Sequence, residues 1–342
     1  MTTPSFMRLE IEEIPSAAQR LLDQGRAEFT AGAEALIAAD PDFVVTVARG
    51  SSDHAASFLK YAIELTAGRA VASLGPSIVS IYGRTLRLGH GAALAISQSG
   101  KSPDIVATTA AARASGAVTF ALTNTAGSPL ADAATRFIDL RAGPEKSVAA
   151  TKSFVNSVLA GLALIAHWTG DADLLKALDE APAVLARALQ CDWTPLADVL
   201  VEGSSLYVLG RGPALAIASE AALKFKETCG LHAEAYSAAE VLHGPARIVE
   251  RGFPVLVLAA PDASSASVAE VAERLAGQGA RVFLAGATAP GATALPVATT
   301  AHPLLATLAL IVSFYAMVES LSRRRGFDPD RPPYLKKVTE TR

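Results

Sequence analysis

Cysteine is nearly absent. Cys191 and Cys229 are the two in 342 residues, with no CxxC pair and no histidine at metal-ligand spacing, so neither a disulfide framework nor a zinc site is indicated. Charge is also sparse, at 18% of residues with a formal net charge of −3. No basic block occurs beyond Arg323-Arg324-Arg325, so no nucleic-acid surface is expected, and that short run suits the solvated end of a helix. Long apolar runs are missing too. The longest, residues 304–318, falls short of the ~20 residues that span a membrane and contains Thr307, Ser313 and Tyr315, so it reads as a buried core helix. The first residues lack the basic-then-apolar profile of a signal peptide. A cytoplasmic protein with no membrane partner is therefore expected. Hydrophobic residues make up 51% of the chain, which implies a large core rather than disorder.

What is present begins with residues 96–104, Ile-Ser-Gln-Ser-Gly-Lys-Ser-Pro-Asp. The segment follows a strand-like run, Ala92-Ala93-Leu94-Ala95-Ile96, and precedes a helix-like one from Ile105. Pro103 suits the first helical position and Ser102 the cap before it. Ser97, Ser99 and Ser102 thus gather where free N–H groups and a helix dipole point outward, as an anion site requires. The same residues also suit an ordinary capped turn.

Strand-like and helix-like runs alternate along the whole length, the pattern of α/β units with parallel sheets. They also repeat. Val44-Val45-Thr46-Val47-Ala48-Arg49-Gly50 has a counterpart in Leu206-Tyr207-Val208-Leu209-Gly210-Arg211-Gly212, with the arginines at 49 and 211, 162 apart. Two further strand pairs, starting at 92 and 255 and at 116 and 279, are offset by 163. Duplicated α/β domains follow: residues 30–170 and 195–325, preceded by a helical segment (1–29), joined by a linker helix (171–194) and ending in a strap (326–342). The copies differ at one place. Where the first has the serine loop, the second has Ala260-Pro261-Asp262-Ala263-Ser264-Ser265, whose acid disfavours phosphate.

In the second domain, Glu220, Lys224 and Glu227 fall at i, i+4 and i+7 and share one helix face. An exposed salt-bridge ladder would show the same spacing. The next segment packs His232, Glu234, Tyr236, Glu240 and His243 into a short stretch, a composition that suits general acid–base chemistry. One of the two histidines can equally be structural.

These motifs, with Gly143-Pro144-Glu145-Lys146-Ser147-Val148-Ala149-Ala150-Thr151-Lys152 and Leu335-Lys336-Lys337, resemble the sugar isomerase (SIS) family. Within it they are most similar to the isomerase half of glucosamine-6-phosphate synthase, in order from about residue 40 to the C-terminus. The resemblance implies two tandem flavodoxin-like domains, each a three-layer αβα sandwich, and a small-molecule sugar phosphate as substrate, with no cofactor and no metal. It implies that Ser97, Gln98, Ser99 and Ser102 hold the phosphate, with Ser52 and Val148 nearby. Glu227 would move a proton between sugar carbons 1 and 2, with Lys224 and Glu220 beside it. His243 would open the pyranose ring from the neighbouring subunit of a homodimer, and Lys337 would close over the sugar. Two departures stand out: the sequence carries no glutaminase part with its N-terminal cysteine, and Ala150 replaces a serine of the synthase motif. The expected activity is therefore that of the second class of glucosamine-6-phosphate deaminases. Alternatives are an enzyme of another phosphorylated amino sugar, an ammonia-dependent synthase partner, and a non-catalytic sugar-phosphate sensor.

Overall fold

A computed structural model describes residues 4–337. It contains two five-stranded sheets, in which every paired neighbour is parallel. The first comprises β1 (Phe43–Val47), β2 (Ala70–Ser73), β3 (Gly91–Ser97), β4 (Val118–Thr123) and β5 (Arg136–Asp139), in the order β2-β1-β3-β4-β5. The second comprises β6 (Ser205–Gly210), β7 (His232–Ser237), β8 (Pro254–Leu258), β9 (Arg281–Ala285) and β10 (Thr293–Leu295), in the order β10-β9-β8-β6-β7. Counted from its own first strand, each sheet reads 2-1-3-4-5, the flavodoxin-like order. Helices cover both faces, which is why β3 is buried at every position and needs no polar alternation.

The duplication extends to backbone detail. Gly50 and Gly212 enter the helices Ser51–Thr66 and Pro213–Cys229 at φ 56°, ψ −134° and φ 58°, ψ −135°, a conformation that a side chain would strain. Gly116 and Gly279 have φ of 95° and 96° and precede β4 and β9. One side-chain contact also repeats. Arg49 pairs with Asp104 at 2.6 Å, and Arg211 donates to Ser267 Oγ at 3.0 Å, in the corresponding helix.

The compact units are not contiguous in sequence, unlike the division expected from the strand–helix repeats. The unit built on the second sheet takes residues 4–15, Lys146–Thr151 and residues 181–335; the other takes Ser16–Glu145, residues 152–180 and the lysines 336 and 337. Helix Phe6–Glu12 belongs with the second sheet for a local reason. Ser5 caps it through the Arg8 N–H, and Asp330 accepts from the Phe6 and Met7 N–H groups at 2.7 and 2.8 Å. Helix Ala172–Ala188, expected as a linker, is shared between the units and carries Pro182 near the division.

Two expectations from composition need correction. The apolar run 304–318 lies in a helix of 22 residues, Pro303–Arg324, long enough to cross a membrane; what makes it a core helix is its near-complete burial. The arginine run is not simply solvated either. Arg324 pairs with Asp198, while Arg325 donates to the carbonyls of Cys229, Leu200, Val201 and Gly203. A guanidinium with five donors is the side chain that can satisfy the open ends of two helices at once.

Candidate active site

In the first sheet the strand order reverses between β1 and β3, and the residues leaving their carboxyl ends carry the serine loop and Ser52. Ligands of open α/β sheets bind at this reversal. Ser97 closes β3, and its Oγ accepts the Gly100 N–H at 3.2 Å; Ser99 Oγ accepts the Lys101 N–H at 3.3 Å. The backbone is held from below by bonds from Asn124 N–H to Gln98 O and from Leu130 N–H to Gly100 O. Ser102 does occupy the cap position of helix Pro103–Ala114, but its side chain makes no capping bond. Its backbone is extended, as at the capping residues Ser5 and Ser128, so only the orientation of its hydroxyl departs from a capped start. Gly100 is obligatory here, because φ is +63° and a Cβ would press on Ser128 Oγ and lie 2.7 Å from Ser128 Cβ. Gly100→Ala is expected to cost about 1–3 kcal/mol of stability, read as a lower denaturant midpoint at unchanged slope.

The corresponding turn after β8 is closed by an aspartate. Asp262 Oδ1 accepts from the Ser264 N–H at 2.8 Å and from Ser264 Oγ at 2.6 Å, just before helix Ser265–Gly277. The first domain has the same local bond, from the Lys101 N–H to Ser99 Oγ, so at this position the copies differ by a carboxylate in place of a hydroxyl.

The exposed-ladder alternative for the second domain's helix is overturned. Glu220 and Lys224 are 0% exposed, and only Glu227, at 21%, is reachable. Lys224 Nζ lies 2.6 Å from Glu227 Oε2 and 3.2 Å from Glu220 Oε1, and Tyr315 donates to Glu220 Oε1 at 3.0 Å. Glu227 stands in the last turn of helix Pro213–Cys229, where the dipole disfavours a carboxylate. The pairing with Lys224 offsets that cost, and a buried ion pair of this kind adds little net stability. Burial alone pulls the Lys224 ammonium down; attraction by Glu220 and then Glu227 outweighs it and holds the group above its ordinary value. Glu227 also lines a cavity of about 570 Å³, walled by Leu223, Phe327, Pro332, Tyr334 and Leu335 among others.

The same unit holds Cys229, whose thiol burial pushes from 9.0 up to about 11. Folding thus keeps protons that the unfolded chain releases at lower pH: the Cys229 thiol above about 9, the Lys224 ammonium above its ordinary 10.5. Stability present below about pH 9 is lost as pH rises through the folded values. Melting temperature should be flat from pH 7 to about 8.5 and fall above 9, and Cys229→Ala should flatten the first part of that fall.

The two histidines separate. His232 opens β7 and its Nδ1 meets Ser205 Oγ at 3.2 Å, at the amino ends of β6 and β7. His243 follows the other end of β7, exposed, on a 3₁₀ turn, Glu240–His243. His232 thus lies at the end of β7 away from His243. Lys337 Nζ pairs with Glu145 Oε2 at 3.0 Å, and Glu145 also accepts from Ser153 N–H at 3.1 Å and Ser153 Oγ at 2.6 Å. Beyond Lys337 the expected strap lies outside the described residues. Val148, half-buried, belongs to a loop gripped from elsewhere. Glu10 accepts from the N–H groups of Lys146 and Ser147 and from Ser147 Oγ. Glu10, Glu145 as the partner of Lys337, and Tyr315 were not singled out from sequence. Glu10 alone left a local signal, a carboxylate on the buried face of helix Phe6–Glu12 beside Met7 and Ile11.

Comparison with known proteins agrees with this architecture. The SIS domain model matches residues 39–167 and 200–294. A glutamine–fructose-6-phosphate aminotransferase (isomerizing) of Pyrobaculum aerophilum is 33% identical over 351 residues, covering 98% of this chain and 57% of that protein. The chain thus spans little more than half the length of this relative. A solved structure from Silicibacter pomeroyi DSS-3, described as a candidate phosphosugar isomerase, is 54% identical with a TM-score of 0.93, covering 96% of this chain and 100% of that one. Glucosamine-6-phosphate deaminase from Thermotoga maritima shares the fold, at 19% identity and a TM-score of 0.74 over 95% of this chain and 100% of that one. Sugar-phosphate isomerases and amino-sugar enzymes are what this chain is similar to, and it belongs to the SIS domain family.

Proposed function

We propose that the chain is an amino-sugar-phosphate deaminase and isomerase that converts glucosamine 6-phosphate and water to fructose 6-phosphate and ammonia. The observation that carries this reading is the buried Glu220–Lys224–Glu227 set, in which Glu227 alone borders open space. In this reading Ser97, Gln98, Ser99 and Ser102 hold the phosphate, with Ser52 and Val148 beside it. His243 opens the ring. Glu227 takes the carbon-2 proton and a proton is returned at carbon 1, leaving a ketimine; water adds at carbon 2, and the carbon–nitrogen bond breaks to release ammonia. Lys224 offsets charge that develops on the intermediate, and Lys337 closes over the sugar. The exposure of His243 in a single chain supports its service to a neighbouring subunit in a homodimer. Two free cysteines suit a reducing, cytoplasmic setting.

The similarity to the Pyrobaculum aminotransferase favours a second reading, in which the same groups run toward amination of fructose 6-phosphate with ammonia from a partner. One assay separates the two. The protein is given glucosamine 6-phosphate, galactosamine 6-phosphate or a fructosamine phosphate, and separately fructose 6-phosphate with ammonium. The proposal expects ammonia and fructose 6-phosphate from glucosamine 6-phosphate. Net amination alone would support the second reading, and no turnover of any of them would defeat both. In the same assay Ser97→Ala should raise KM about tenfold, the loss of one hydrogen bond to a charged group.

A further inference from the structure

We propose that Tyr207 is a positioning residue for His243, fixing from within the same subunit the turn that carries the imidazole. This rests on the ring-opening role proposed for His243. The imidazole stands at the end of the turn Glu240–His243, and after Gly244 a second turn, Pro245–Ile248, follows at once. Both turns rest on the second sheet's core: Val241 and Val249 are buried, and Leu242 and Ala246 pack beside them. Apolar contacts of that kind set how deep a segment sits but not its rotation or register, because they have no direction. Exposed 3₁₀ turns of four residues supply little rigidity of their own.

The directional contact comes from below. Tyr207, on β6, is 2% exposed, and its hydroxyl donates to the Pro245 carbonyl at 3.1 Å, two residues past His243. Its ring is wedged between two others. Tyr236 meets it edge-on at 5.2 Å and 79°, and Phe253 at 5.1 Å and 64°. A ring held on two sides has few rotamers open to it, so its hydroxyl is a fixed post rather than a mobile donor. The three aromatics come from β6, from its edge neighbour β7 and from just before β8, so the post is tied to three adjacent strands of the sheet. Tyr236, its nearest chemical equal, is engaged with Glu234 instead. The Pro245 carbonyl is the acceptor of the Tyr207 hydroxyl.

A buried hydroxyl needs an acceptor whatever its function, so loss of stability alone would not separate positioning from packing. The decisive test is a double-mutant cycle on the whole protein with Tyr207→Phe, His243→Ala and both, read as kcat for glucosamine 6-phosphate. It is paired with the affinity for 2-amino-2-deoxyglucitol 6-phosphate, which has no ring to open. Tyr207→Phe should lower kcat by roughly five- to twentyfold and leave the affinity for the acyclic ligand unchanged, while still melting cooperatively. In the His243→Ala background the same substitution should cost nothing further. Tyr236→Phe should leave kcat as it is. An equal loss from Tyr207→Phe with and without His243, or no loss with it, overturns the positioning role while leaving the ring-opening role standing. Full turnover by His243→Ala removes the ring-opening role itself, and the present proposal with it.

Discussion

Glu227→Gln is expected to lower turnover by about 10²–10⁴-fold, the usual contribution of a placed acid–base group, while substrate binding changes little. Glutamine keeps the size of the side chain and its helix propensity, so the helix Pro213–Cys229 should form unchanged. It also keeps an oxygen for the Lys224 ammonium, 2.6 Å from the carboxylate in the native chain. What it cannot do is accept a proton from carbon. The companion variant Lys224→Met should behave differently, because it strands Glu220 at 0% exposure without its cation. Breaking a buried pair from one side costs about 3–5 kcal/mol, so that variant should be both inactive and markedly less stable. Thermal melts separate the two effects. Near-native turnover by Glu227→Gln would reduce the carboxylate to a charge partner of Lys224.

The strap carries the second large effect. Residues 327–335 contain Pro329, Pro332 and Pro333 and form no helix, yet they are anchored through Asp330 to the Phe6 and Met7 N–H groups. Farther on, Lys337 finds Glu145, which Ser153 already holds in place with two bonds. Lys337→Ala should lower kcat by about 10²-fold or more, and exposed Lys336→Ala much less. Deleting residues 335–342 should abolish turnover, yet the rest should still melt cooperatively at a similar temperature, since chain ends contribute little to a packed core. Glu145→Gln should raise KM by about three- to tenfold, as it removes one charge-assisted bond that fixes the strap. Retained activity in the truncated protein would leave Lys337 without a catalytic role.

The parts legible from sequence were those whose signal is local. The strand runs at 44, 92 and 118, and their counterparts at 206, 255 and 282, are apolar because both sheet faces are covered. The paired Arg-Gly turns fixed the repeat because glycine is demanded at φ near +57° in both. The serine loop was visible through its proline and hydroxyls, and the Glu220–Lys224–Glu227 face through helical spacing. Whether that face was wet or buried was not visible, because its cover comes from Tyr315, 95 positions away.

The rest depends on pairs that leave no local pattern. Glu10 grips Ser147 across 137 positions, and Arg325 reaches Leu200 across 125. Neither distance can be read from periodicity. Ser102 shows the converse: a favourable cap residue in the cap position, whose hydroxyl caps nothing. His232 and His243 are alike in composition but lie toward opposite ends of one strand, since His232 opens β7 and His243 follows its last residue, Ser237. Asp262 disfavours phosphate by its charge, and it also closes its own turn by accepting from the Ser264 N–H and hydroxyl.

The most direct measurement is the reaction of glucosamine 6-phosphate in deuterium oxide, with ammonia counted and the fructose 6-phosphate analysed for label at carbon 1. The native protein should release ammonia and place solvent deuterium at carbon 1, and the Glu227→Gln protein should do neither at a comparable rate. Ammonia released equally fast by the Gln variant, with labelled product, would contradict a proton transfer through Glu227.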